Sequence, residues 1–332
     1  MLRRTLLAAA AALAFTAGAA LADDSKPAIV FDIGGKFDKS FNESMFNGAE
    51  KFKAETGVAY GEFEIANEAQ REQAIRNFAD QGYSPIIAAG FAQAAAVEKV
   101  AKEYPDLKFA IVDMVVDLPN VQSIVFKENE GSYLVGLLAG MASKSGKVGF
   151  VGGMDIPLIR KFGCGYAQGV KAAKPDATIF QNMTGDTGAA WNDPVKGGEI
   201  TKGQMAQGAD VVYAAAGATG LGVLQAAADG GALSIGVDAN QNYLHPGKVL
   251  TSMLKRVDVA VYNVMKGGNA NFKPGIQALG LAEDGVGYAM DDNNKPLITP
   301  EMLAAVEKAK ADIIAGTIKV HDYTEDNACP VQ

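Results

Sequence analysis

The chain has 332 residues, of which 48% are hydrophobic, 20% charged and 8% aromatic, proportions that exclude wholesale disorder. At roughly 150 residues per domain, the length suffices for two units, each with a core of its own. With 30 basic and 38 acidic residues the net charge is −8, which excludes the broad basic face that nucleic acid requires.

The chain opens on Met1–Leu2–Arg3–Arg4, continues without a charge through an Ala- and Leu-rich stretch, and reaches Ala20–Leu21–Ala22. A basic start, an apolar run and an A-x-A site predict a secretory signal peptide over 1–22, cleaved after Ala22. No cysteine lies near that site, so the expectation is an exported protein without a lipid anchor. The 2 cysteines, Cys164 and Cys329, could form one bridge or stay free.

Short apolar runs then alternate with amphipathic stretches. Strands are predicted at 27–32, 59–64, 85–89, 108–113 and 121–126, with helices at 40–55, 68–81, 92–103 and 129–143. After Ser145–Gly146 the rhythm restarts, with strands at 147–151, 178–182, 210–215, 233–237 and 249–254 and helices at 157–173, 194–207, 220–230 and 258–267. The tail adds short strands at 276–281 and 286–290 and a helix at 300–315. Strands alternating with helices make βαβ units, so the expected class is α/β: two doubly wound parallel-sheet lobes. The expected division is 23–145 plus about 268–332, the tail crossing back, for the first lobe and 146–267 for the second.

In open α/β sheets, ligands bind outside the carboxyl ends of the strands. The segment from Asp32 to Asn42 sits there and offers glycines, an apolar plate in Phe41 and an amide in Asn42. Asp38 and Ser40 are candidates to cap the following helix. Three more strand tips carry charge: Asp113, Asp238 and Lys255. Trp191 is the sole tryptophan and lies in a Gly-rich loop ahead of a helix, a setting for a contact surface. The Gly217–Gly222 loop has glycines at offsets 0, 3 and 5, so it is not a G-x-G-x-x-G dinucleotide loop. Neither His245 nor His321 belongs to a metal or triad spacing, so no catalytic residue, metal or cofactor is expected.

Several of these motifs occur together in order. They are Asp32-x-Gly34-Gly35-x-x-Asp38-x-Ser40-Phe41-Asn42, Gly152–Gly153 with Pro157 and Phe162, and Trp191-x-Asp193-Pro194. Gly217-x-Thr219-Gly220-x-Gly222, Gly236–Val237–Asp238 with Gln241, and Thr251–Ser252-x-x-Lys255-x-x-Asp258 complete the series. From about Pro27 almost to its end, the chain resembles the basic membrane protein family, substrate-binding proteins of ABC importers of the purine-nucleoside-receptor type. The resemblance implies a type I periplasmic binding protein whose two lobes, joined by a hinge, close on a nucleoside and deliver it to the permease subunits. It also implies a monomer that is not an enzyme, free in the periplasm because the lipobox cysteine of many members is missing.

Carried onto this chain, the resemblance makes Phe41 and Trp191 the plates of a base sandwich. Asp32, Asn42 and Asp113 would hydrogen-bond the base edge or ribose, and Asp238 the ribose hydroxyls. Lys255 would donate to the ligand and balance the acids, while Gly217 and Gly220 let the backbone close on the sugar. The alternatives are another flat heterocycle (a free nucleobase or a flavin), a sugar, or an exported nucleoside hydrolase.

Overall fold

A computed structural model describes residues 25–331; the predicted signal peptide at 1–22 lies outside the described residues. Short strands of three to six residues, apolar except for β2, make up the first half: β1 (Ala28–Phe31), β2 (Gly61–Glu64), β3 (Ile86–Ala88), β4 (Phe109–Val112) and β5 (Val121–Phe126). Between and after them lie α1 (Phe41–Thr56), α2 (Gln70–Asp80), α3 (Ala94–Glu103) and α4 (Glu128–Ala142). The second half repeats the pattern with β6 (Lys147–Met154), α5 (Pro157–Ala173), β7 (Thr178–Gly185), α6 (Pro194–Ala206), β8 (Val211–Ala215) and α7 (Thr219–Asp229). It continues through β9 (Leu233–Asp238), β10 (Val249–Lys255), α8 (Val257–Gly267), β11 (Gly275–Leu279), β12 (Val286–Tyr288) and α9 (Pro300–Ile314).

The strands form two sheets of six, in the orders β11-β5-β4-β3-β1-β2 and β12-β10-β9-β8-β6-β7. Every pairing is parallel except β10 with β12. Central strands β1, β4 and β8 are buried on both faces, as sheets covered by helices on each side must be. One apolar core runs continuously through both lobes, from Phe31 and Ile124 to Tyr213 and Met253, and each lobe has a second core on its outer face.

The expected lobe boundaries need correction. Helix α4 leaves the first sheet and packs along α5 and β10 in the second lobe, while α8 leaves the second sheet and packs on α1. Strand β11 pairs with β5 in the first sheet, whereas β12 pairs with β10 in the second and α9 rests on α4. The chain thus crosses between lobes after β5, after β10 and between β11 and β12, so the divisions at 145 and 268 fall inside the second and first lobes. An apolar helix pattern states that a face is covered; it does not state which sheet covers it.

Candidate functional site

The carboxyl ends of the two sheets face each other across a cleft of about 610 Å³. Of the sequence-predicted residues, Asp32, Phe41, Asn42, Asp113, Trp191, Gly217, Asp238 and Lys255 line it. Gly220 does not: it sits buried in the first turn of α7, beside Ala214, one helical turn behind the wall.

On the first lobe, Asp32 follows β1 directly. One of its carboxylate oxygens accepts from the Ile33 N–H at 2.8 Å and from Arg71 at 3.3 Å. Burial raises its pKa, with Ile33 and Arg71 pulling the other way. The amide of Asn42 grips the same residue: its Oδ1 accepts from the Asp32 N–H at 3.2 Å and its Nδ2 donates to the Asp32 carbonyl at 3.3 Å. Asn42 therefore pins the end of β1 to α1, and only one N–H and one lone pair of its amide remain for a ligand.

Of the two capping candidates, Asp38 caps. Its carboxylate accepts from the N–H groups of Ser40, Asn42 and Glu43 at 2.8, 3.0 and 3.1 Å. Burial pushes its pKa up to about 6 against those three bonds. Ser40 instead turns its hydroxyl across the cleft and donates it to the carboxylate of Asp238. Gln241 makes a second bridge between the lobes, donating to the Lys39 carbonyl at 3.0 Å.

On the second lobe, Trp191 ends a short 3₁₀ turn, Gly188–Trp191, ahead of α6. Thr219 pins that turn by donating to the Ala190 carbonyl at 2.8 Å and accepting from the Asp193 N–H at 2.7 Å. The indole lies against the backbone of Gly153, where a Cβ would fall 2.3 Å from the ring. Only glycine at 153 permits that placement. Gly217 has φ 57°, a conformation that β-carbons disfavour, and lies beside the Trp191 carbonyl.

Asp113 and Asp238 stand at the tips of β4 and β9, and both adopt positive φ, 71° and 64°. Asp113 pairs with Lys255, whose Nζ is 2.7 and 2.8 Å from its two oxygens. A third carboxylate oxygen, from Glu128, lies 2.9 Å from the same Nζ. Lys255 is 2% exposed, and the rings of Phe41, Phe126 and Phe162 lie 5.2 to 5.5 Å from its charge. Burial opposes that charge, but the carboxylates of Asp113, Glu128 and Asp238 outweigh it and hold the ammonium protonated. Its Nζ donates to Asp113 Oδ2, and two further carboxylate oxygens lie within 2.9 Å of the charge, so Lys255 serves first as the counter-charge of the acids. Burial also pushes the Asp238 carboxyl up to about 6, with Lys255 and the Ser40 bond opposing it.

The sequence reading passed over Glu128 and the apolar floor of Phe91, Leu158 and Ile159. Glu128 could have been found by the strand-tip rule, because it stands two residues past the end of β5. The floor residues carry no chemical signal; only the packing of α5 and of the 3₁₀ turn Phe91–Gln93 ahead of α3 brings them to the cleft. The sequence left Cys164 and Cys329 open, and in the structure they form a disulfide.

The profile of the Bmp family, described as ABC transporter substrate-binding protein PnrA-like, matches residues 26–324. The CD4+ T-cell-stimulating antigen of Listeria monocytogenes is 38% identical, over 90% of this chain and 88% of that protein. The ABC transporter nucleoside-binding protein BmpA of Lactococcus lactis is 34% identical, over 90% and 89%. Among solved structures, a solute-binding protein of an ABC transporter system from Aeropyrum pernix superposes with a TM-score of 0.81 at 30% identity, covering 91% of this chain and 95% of that one. The expectation of a free periplasmic protein without a lipid anchor does not stand. A relative from Pyrococcus furiosus, 38% identical over 79% of this chain and 69% of its own length, is named a lipoprotein, as are two from other Pyrococcus species. A cysteine missing near one predicted cleavage site bears on one attachment chemistry and assigns no compartment.

Proposed function

The chain belongs to the PnrA-like family of ABC transporter substrate-binding proteins, and on that premise we propose that it captures a nucleoside, in the first place a purine nucleoside, and delivers it to the membrane subunits of an ABC importer. The observation that carries this reading is the make-up of the cleft wall: flat rings from both lobes beside buried acceptors, with the one lining cation among the described residues already matched by carboxylates. Phe41 and Trp191 stack on the base. Asp238 accepts from ribose hydroxyls through the lone pairs that Ser40 leaves open, and the Asp32 oxygen not taken by Ile33 and Arg71 accepts from an N–H of the base. Asn42 adds its remaining N–H, Asp113 acts mainly through Lys255, and Gly217 admits the sugar close to the backbone.

Stacking supplies affinity, about 1–3 kcal/mol per base at other aromatic sites, and the buried acceptors supply discrimination. A nucleotide is disfavoured because its phosphate would meet Asp32, Asp113 and Asp238 with no unmatched cation to receive it. The relative named a nucleoside-binding protein supports the ligand class. All the proposed contacts come from one chain, so a monomer suffices. The reading is of a binder and not a hydrolase.

The test is mass spectrometry of the small molecule released on denaturing purified protein, followed by calorimetry with inosine, guanosine and adenosine. A released nucleoside and submicromolar binding of at least one of the three are expected. Release of a sugar or flavin, or free base accumulating on prolonged incubation, would overturn the reading.

A further inference from the structure

Behind Lys255 the charges continue away from the cleft. Glu128, fully buried at the first turn of α4, holds Lys255 with one oxygen and Lys161 with the other, at 2.9 and 3.1 Å. Lys161 also donates to the Phe126 carbonyl at 3.1 Å and lies 3.3 Å from Asp322. The other oxygen of Asp322 is fixed by the N–H and hydroxyl of Thr324. The result is a ladder of alternating sign, Asp113–Lys255–Glu128–Lys161–Asp322, from the cleft to the C-terminal segment. It ties together both chain crossings that flank it: Phe126 and Glu128 bracket the first, and Lys255 precedes the second.

The far end of the ladder is strapped down. Lys161, Cys164 and Gln168 share one face of α5 at helical spacing, and the segment around residues 320–329 lies along it. Gln168 clasps the His321 backbone on both sides, donating to its carbonyl at 3.1 Å and accepting from its N–H at 2.9 Å. Asn129, next to Glu128, donates to the Val320 carbonyl at 2.9 Å. Cys329 is bonded to Cys164, across 165 residues of sequence. Two lysines and a glutamate this deep need every partner in place, because removing one leaves an uncompensated buried charge.

We propose that Glu128 is a positioning residue of the cleft, and that the disulfide-held C-terminal strap acts through Lys161 and Glu128 to set the place of Lys255 and hence the affinity for ligand. The inference rests on the nucleoside reading only for the choice of probe. The experiment measures inosine affinity by calorimetry for the full chain, Glu128→Gln, Asp322→Asn, the strap-opened Cys164→Ser/Cys329→Ser variant, and each of the last two combined with Glu128→Gln. Residues coupled through one network are non-additive, so Glu128→Gln should weaken binding about tenfold, while Asp322→Asn and the strap-opened variant each weaken it about threefold. In the Glu128→Gln background either change should then add less than about twofold.

A merely structural strap gives another pattern: the melting temperature falls on opening it, and affinity is unchanged or the losses multiply. Either result overturns the proposal. Asp322→Asn keeps the disulfide, so it decides the matter should the double serine variant fail to fold. If the unaltered chain does not bind inosine, the nucleoside reading is what fails. Amide exchange then tests the relay, with Asp322→Asn expected to speed exchange at 126–129 and 254–257 and unchanged rates there overturning it.

Discussion

Asp113 and Asp238 hold the same seat in the two lobes. Each stands at the tip of the third strand from one edge of its sheet, each takes a left-handed backbone conformation, and each has its pKa raised by burial. Their partners nevertheless differ. The neighbouring strand tip of the second lobe, Lys255, reaches over to the acid of the first and pairs with it at 2.7 Å. Asp238 receives a neutral hydroxyl, from Ser40 of the first lobe. Equivalent topology therefore yields one acid locked in an ion pair and one with open lone pairs. What divides them is a single cation donated across the cleft, not the fold.

The largest effect should come from removing that cation. Lys255→Met leaves Asp113 and Glu128 facing each other, and breaking a buried pair costs about 3–5 kcal/mol, read as a lowered urea midpoint at pH 7. The loss should shrink as pH falls, because protonation relieves the stranded acids. A cost under about 1 kcal/mol would mean that the pair does not distinguish the lobes.

Next come the acids themselves. Asp238→Asn should weaken ribonucleoside binding by about ten- to a hundredfold, the worth of a charge-assisted hydrogen bond, with the matching free base nearly indifferent. It should leave stability unchanged or raised, since Oδ1 of the amide still accepts from Ser40. Asp113→Asn should do the reverse, lowering stability first and affinity through Lys255. If the two variants behave alike, the contrast between the acids is mistaken.

A comparison of the two rings follows. Trp191→Ala should lose about 1–3 kcal/mol of nucleoside affinity, Trp191→Phe should keep most of it, and the fluorescence of the sole tryptophan should change on titration with ligand. Saturation by calorimetry with an unchanged spectrum would remove Trp191 from the contact surface.

The smallest effect is in pH. With Asp238 near 6, its acceptor form is lost below that value, so affinity should fall about tenfold between pH 7 and pH 5, and Asp238→Asn should abolish the dependence. Stability should run the opposite way. Asp38 and Asp238 hold protons in the folded chain between their ordinary 3.8 and about 6, where the unfolded chain has lost them. Their contribution to stability is thus greatest at low pH and falls as pH rises through that window. A flat affinity profile from pH 7 to 5 would place the ligand's donors elsewhere.

Much of the fold was legible because strands near six residues and helices of ten or more alternate cleanly in hydrophobic pattern. The twelve strands and nine helices described here each fall on a predicted stretch. Strand tips also pointed to Asp32, Asp113, Asp238 and Lys255 of the cleft wall, since parallel sheets gather their carboxyl ends on one edge, while Phe41, Asn42, Trp191 and Gly217 lie in the segments that follow strands. Gly220 misled because a glycine in a loop motif looks the same whether it faces a ligand or a helix packed behind it.

What the sequence determined by itself is local: which runs are strands, which helices follow them, and that charged tips cluster where a ligand would sit. Tertiary structure decided the pairings. It sent α4 and α8 to the opposite lobes, gave Lys255 to Asp113 and Ser40 to Asp238, set Gly153 under Trp191, and joined Cys164 to Cys329. Periodicity records whether a side chain is covered or exposed. Which distant side chain covers it depends on how two sheets and three crossings place their ends in space, and no local pattern encodes that.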